Sequence, residues 1–199
     1  MGIKQKFFLL AGVIGVIMAI VSGIGYYTAY TNLEESVEKE IAAAVDTQGA
    51  RLDGWLQTKA APAISAANLM TQLDGQESLA SMHEMMGLAA NDKEIKTITN
   101  GNENGLFMSW ASGNRTGQVD PRQRPWYIAA KNAGKPVFTD AYKDATTGKL
   151  VVSAAVPYFT KGGQFAGAIC GDISMEALDQ KVDSIKYRGE GKGMIIQKD

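Results

Sequence analysis

Between Phe7 and Leu33 the chain carries no charged side chain, and the segment FFLLAGVIGVIMAIVSGIGYY, Phe7 to Tyr27, is apolar almost throughout. About 20 such residues are what an α-helix needs to cross the hydrocarbon core of a bilayer. The pattern therefore predicts a transmembrane helix over 7–30, with a cytoplasmic N-terminus over 1–6. Beyond it, apolar or small residues recur at Leu33, Val37, Ile41, Ala44, Leu52 and Trp55, with Gln48 the one polar interruption. That narrow stripe at helical spacing predicts a long stalk helix over 31–75, suited either to pairing with a second copy or to packing on its own domain. Pro62 and the glycines near Gly75 and Gly87 are expected to break the helical pattern, and LASMHEMMGLAA, Leu79 to Ala90, reads as a further short helix.

From Asp92 the period changes. The runs EIKTITN, GLFMSWAS, KLVVSAAVPYF and QFAGAICGDIS are rich in β-branched and aromatic residues, and NGNENG, SGNRTG, DATTG and TKGG separate them. The last two runs, joined by TKGG, predict an antiparallel hairpin. One helix is expected between the second and third runs, with Asp120 as N-cap, Pro121 at the first helical position and Gly134 as the stop. MEALDQKVDSI, Met175 to Ile185, predicts a closing helix, and GMIIQ, Gly193 to Gln197, predicts the start of another strand, so 189–199 is expected to open a second, truncated module after a first one over 76–188. The class is α+β: a transmembrane helix and stalk, then an antiparallel sheet flanked by helices.

Charge narrows the function. With 20 Lys and Arg against 21 Asp and Glu, no net basic field exists to hold a phosphate backbone, and no nucleic-acid partner is expected. Lys4 and Lys6 precede the apolar segment and Glu34, Glu35 and Glu38 follow it, an asymmetry that places the N-terminus in the cytoplasm and the rest of the chain outside. Tyr26, Tyr27 and Tyr30 then fall at the outer interface. A cleaved secretory signal is the competing reading, and it exports the same residues. A single Cys170 and a single His83 exclude a disulfide framework and a Cys/His zinc site. No Gly-x-Ser-x-Gly elbow occurs, so catalysis within these residues would rest on a carboxylate pair alone. His83 is expected to be partly exposed on its helix and Cys170 buried on a strand. No metal or other cofactor is expected.

The chemistry concentrates in DPRQRPWY, Asp120 to Tyr127, and in AYKDATTGK from Ala141. A helix start needs Asp120 and Pro121 but not Arg124, Trp126 and Tyr127. If that helix lies across the sheet, guanidinium, indole and phenol face Tyr142, Asp144 and Asp172. A charge-separated pocket of this kind suits a free amino acid, whose carboxylate a guanidinium grips and whose ammonium needs carboxylate acceptors. The same side chains could instead pair with one another in an empty site.

Asp-Pro-Arg-x-Arg-Pro-Trp-Tyr, then Gly-Lys, then Tyr-x-Asp-x-x-Thr-Gly with a following Val-Val-Ser strand, then Gly-Asp-Ile-Ser, resembles the double Cache sensor domain of bacterial methyl-accepting chemoreceptors over about Asp92 to Ile185. The resemblance implies a PAS-like membrane-distal module and a bound small molecule, most readily an amino acid. It implies Arg124 and Trp126 at the ligand carboxylate, Tyr127 and Tyr142 along the site, and Asp144 and Asp172 at the ammonium. The stripe gives a homodimer through the stalk as the expected assembly, and the resemblance implies an output domain beyond these residues: a chemotaxis hairpin, a histidine kinase or a cyclic-dinucleotide enzyme. One position departs from the amino-acid pattern: Val119 stands where that pattern has tyrosine, which leaves an amine or a small carboxylate as alternative ligands. A structural domain with no small ligand is the third reading.

Overall fold

The computed structural model describes residues 2–74, 78–90, 94–186 and 193. The chain divides into two units, Met1–Gly49 and Ala50–Asp199. Helix α1, Ile3–Leu73, enters both.

In the first unit every side chain from Phe7 to Tyr27 is exposed, and α1 is the one described helix long and apolar enough to span a membrane. Leu33, Val37 and Ile41 of the stripe are also exposed, at 64, 41 and 45%.

In the second unit α1 does not stop at Pro62, contrary to expectation; it runs on to Leu73. Proline removes one main-chain hydrogen bond, and what holds the helix across it is packing. Ala60, Ala63, Ala66, Ala67 and Met70 bury one face, and the small side chains let the helix lie close to the sheet. A Cβ built on Gly171 would touch Ala63 at 3.7 Å and the Lys59 carbonyl at 4.0 Å. Helix α2, Leu79–Ala89, is capped by the Ser78 hydroxyl and buries Met82 and Met86. Gly87 sits within this helix, because the indole of Trp110 occupies the space a side chain would take.

The sheet is antiparallel. Its strands are β1 (Ile95–Asn102), β2 (Phe107–Ser109), β3 (Gly113–Asn114), β4 (Val137–Phe138), β5 (Tyr142–Lys143), β6 (Leu150–Phe159) and β7 (Phe165–Ser174), in the order β3-β2-β1-β7-β6-β4, with β5 also pairing β6. The expected β6–β7 hairpin is present. Two-residue strands such as β4 and β5 are too short to show a period, and the sequence pattern did not mark them. Trp110 leaves the sheet after β2 and is 42% exposed, with its ring 4.8 Å from that of half-buried His83.

The helix expected from Asp120 is two pieces. Asp120 caps a 3-10 turn, Pro121–Gln123, and helix α3, Pro125–Ala133, then begins afresh. The break is dictated by Pro125, whose ring disfavours helical backbone in the residue before it. Arg124 is accordingly extended, with φ −88° and ψ 142°. Gly134 ends α3 with φ +61°, as the sequence predicts. Helix α4, Met175–Asp183, is capped by Ser174 and ends two residues earlier than expected. The predicted strand from Gly193 to Gln197 lies outside the described residues apart from Gly193.

Alternation along the strands separates two faces. One packs Ile98, Met108, Val156, Tyr158 and Ile169 against α1 and α2. The other carries Phe107, Ala155, Ala168 and Cys170 beneath Trp126, Tyr127 and Ala130 of α3.

Candidate functional site

That second face changes character along the strands. At the α3 end its residues are small or apolar, so that Trp126 can settle on Gly101; a Cβ there would meet the indole at 2.8 Å and overlap Pro121. Further along β1, β7 and β6 the register aligns Thr97 with Asp172 and Asp172 with Ser153. This cross-strand row is buried: Thr97 is 8% exposed, Asp172 3% and Ser153 fully enclosed. A row of polar groups on a sheet floor that α3 does not cover is where a polar ligand finds partners.

Over this floor lies a cavity of about 560 Å³, within the size range of small-molecule sites. Its walls come from β1 (Lys96, Thr97), the end of β2 (Ser109, Ala111), the turn between β5 and β6 (Asp144 to Lys149), the start of β6 (Leu150, Val151), and the β7–α4 junction (Asp172, Ser174, Met175, Glu176).

The buried carboxylate of Asp172 is the centre of the polar network. Ser153 donates a short hydrogen bond to Oδ1, the Tyr142 hydroxyl reaches the same oxygen at 3.4 Å and the Cys170 thiol at 3.7 Å. Tyr142 and Ser153 are themselves bonded at 2.7 Å. Burial pushes the Asp172 pKa up to about 6; the Ser153 hydrogen bond opposes that shift and the charge of Asp144 adds to it. Burial likewise raises the Tyr142 hydroxyl and the Cys170 thiol, so both stay protonated at neutral pH.

Asp144 also lines the cavity, but one of its oxygens is committed. Oδ2 accepts from the amides of Thr146 and Thr147 and from the Thr147 hydroxyl, which fixes the DATTG turn. The turn positions both wall and charge. Arg124 stands at its edge. Its extended backbone sends the guanidinium to the Lys143 carbonyl, at 3.0 Å, and to the face of Tyr142, 5.8 Å from the ring centroid. Tyr142 therefore lies between the guanidinium and the Asp172 carboxylate.

Of the six residues singled out from sequence, Asp144 and Asp172 line the cavity; Tyr142 reaches Asp172 and Arg124 reaches Tyr142, but neither of these two is among the cavity residues. Trp126 and Tyr127, expected on the pocket wall, lie in the core under α3, at 3 and 1% exposure. The Tyr127 hydroxyl turns the other way and donates to Glu103 at 2.6 Å, and Lys131 grips the same carboxylate at 2.9 Å. These two contacts hold Glu103 below its ordinary pKa, while burial raises Tyr127. The reason is helical geometry: Trp126 and Tyr127 lie with Ala130, one turn on, on the face of α3 that packs against Phe107, Ala155, Ala168 and Cys170. Val119 packs against the same core cluster and is not among the cavity residues. The floor hydroxyls Thr97, Ser109 and Ser153 were not singled out from sequence. For Ser153 the one signal was a lone serine in the apolar run of β6, and β1, polar at Lys96, Thr97, Thr99 and Asn100, gave none for Thr97.

An antiparallel sheet with helices on its faces and a polar cavity at the open end of one face has the form of a small-molecule-binding module. A family model described as methyl-accepting chemotaxis protein-like, first PDC sensor domain, matches residues 69–180, more than half of the chain. The chain belongs to that family. The methyl-accepting chemotaxis protein PscA of Pseudomonas syringae pv. tomato is 27% identical over 197 residues, which is 98% of this chain and 31% of that protein. The chain thus spans about a third of the length of such relatives. Among solved structures, the ligand-binding domain of the Pseudomonas aeruginosa amino acid chemoreceptor PctB, in complex with L-Arg, superposes with a TM-score of 0.67 at 22% identity, over 78% of this chain and 60% of that one. The ligand-binding domain of Mlp24 with asparagine superposes with a TM-score of 0.54 at 25% identity, over 75 and 65%.

Proposed function

We propose that this chain is the sensing part of a transmembrane chemoreceptor and that it binds a free amino acid in the cavity above Asp172. The observation that carries the reading is the series Arg124, Tyr142, Asp172: a cation and a buried anion on either side of one phenol. A guanidinium has five donors, and Arg124 gives one to Lys143, so others are available to a ligand carboxylate. Asp172 and Asp144 receive the ammonium. Trp126 and Tyr127 set the position of α3 and through it that of Arg124.

A buried carboxylate with a raised pKa supports this assignment, because a ligand ammonium restores the partner that burial removed. The apolar helix supports a single span over 7–30, with 1–6 in the cytoplasm and the module over 76–188 outside. Residues 31–75 serve as the stalk, and two copies pair along the exposed stripe of Leu33, Val37 and Ile41. Ligand binding favours one position of α1 over another, and that shift is the signal.

Thermal unfolding of the chain in nanodiscs tests the reading. A bound amino acid at a hundredfold excess over its dissociation constant adds about 2.7 kcal/mol to the stability of the folded state. The reading expects Arg124→Ala to abolish the shift for carboxylate-bearing ligands and Asp172→Ala to abolish it for ligands with an amino group. Absence of any shift across amino acids, amines and small carboxylates contradicts it.

A further inference from the structure

The grip on a zwitterion leaves the rest of the cavity to the ligand's side chain, and that part has a definite chemistry. It is bounded by Thr97, Ser109, Ala111, Ser174, Met175 and Val151. Three of these are buried hydroxyls, and each is already engaged. Thr97 accepts from the Ala111 amide at 3.2 Å and shares a hydrogen with Ser109 at 3.0 Å. Ser174 accepts from the Ala177 amide at 3.2 Å as the cap of α4. The remaining three present hydrocarbon. Besides Asp172 and Asp144, which receive the ligand's ammonium, the charged groups of the wall are Lys96, Lys149 and Glu176, which are exposed, of mixed sign and screened by solvent.

We propose that the ligand is an amino acid whose side chain carries no charge, aliphatic or hydroxylated, seated between the Thr97–Ser109 pair and Ala111, Val151 and Met175. The proposal rests on the amino-acid reading above. A second charge on the ligand would lose its water against hydroxyls that are already satisfied and against hydrocarbon, with no buried counter-ion to replace it. A hydroxyl or a few methylenes meets no such cost. Selectivity here comes from what the wall withholds, not from an added attraction.

Titration calorimetry of the full chain in nanodiscs against L-alanine, L-serine, L-valine, L-leucine, L-glutamate and L-lysine tests it. The expected result is binding of the four neutral amino acids, with glutamate and lysine at least about tenfold weaker, a difference of about 1.4 kcal/mol. Ala111→Asp, at an exposed wall position, is expected to raise the lysine-to-alanine affinity ratio by at least about tenfold. Glutamate or lysine binding as tightly as alanine to the unsubstituted chain overturns the proposal while leaving the amino-acid reading intact. An unchanged ratio in Ala111→Asp also overturns it. Failure of all six ligands removes the amino-acid reading itself, and the proposal with it.

Discussion

At Asp172 two effects of burial act together. The carboxylate is ordinarily ionised above about 3.8, but its enclosure on the sheet floor moves that point to about 6. Because the folded-state pKa is the higher one, protonation favours the folded chain. This contribution is fully present below the ordinary value and is lost as pH rises through about 6. Asp172→Asn is therefore expected to stabilise the ligand-free chain at pH 8, by up to about 3 kcal/mol on a shift of about two pH units, with no gain at pH 4. Urea unfolding at the two pH values checks this, and a loss of stability at pH 8 would contradict the burial argument. An ammonium ligand needs the ionised form, so its affinity is expected to fall up to about tenfold per pH unit below about 6 and to level off above. Titrations from pH 5 to 8 read this slope directly; a flat profile would mean that Asp172 does not receive the ligand's charge. From sequence alone Asp172 was recognisable as a pocket residue. Its partner Ser153 was not, because pairing across β6 and β7 depends on register, and register is settled by the whole hairpin.

Among the elements, α3 sets the geometry of the cationic side, and it does so through two prolines and one glycine. Pro121 and Pro125 divide the DPRQRPWY stretch into a 3-10 turn and a helix, which leaves Arg124 extended between them. The sequence announced a helix with the correct stop at Gly134, but Asp-Pro at the start concealed the second beginning. Trp126 and Tyr127 entered the site through the Arg-x-Trp-Tyr resemblance, and in the fold both side chains are buried in the cluster beneath α3. The hairpin, both later helices and the polar turns were legible because their periods run over many residues. Pro62 misled because local propensity yields to packing when a helix face of alanines is held against a sheet. Gly101 is the counterpart of the Trp126 ring. Gly101→Ala is expected to push the indole and Pro121 outward, costing about 1–3 kcal/mol as overpacking does, and to weaken ligand binding through displacement of Arg124. Unfolding and binding measured on the same variant check both effects; binding unchanged despite lost stability would separate α3 from the site.

For the whole molecule, the exposed stripe of Leu33, Val37 and Ile41 on α1 is the feature on which the proposed pairing of two copies rests. Cys170 is buried and its thiol stays protonated, so a cysteine introduced on α1 is the one expected to react. Val37→Cys and Ile41→Cys are expected to form disulfide-linked dimers readily in membranes, and Glu35→Cys, off the stripe, much more slowly. Equal rates at all three positions would show that the stripe is not an interface. The central claim concerns the pocket, and dissecting the ligand tests it most directly. Titration calorimetry of the full chain compares L-alanine with ethylamine and propionate, which keep one charged group each. If Arg124 and Asp172 grip opposite ends of one zwitterion, L-alanine binds and each half-ligand is at least about a hundredfold weaker, a loss of about 2.7 kcal/mol. Either half-ligand binding as tightly as L-alanine would contradict the account.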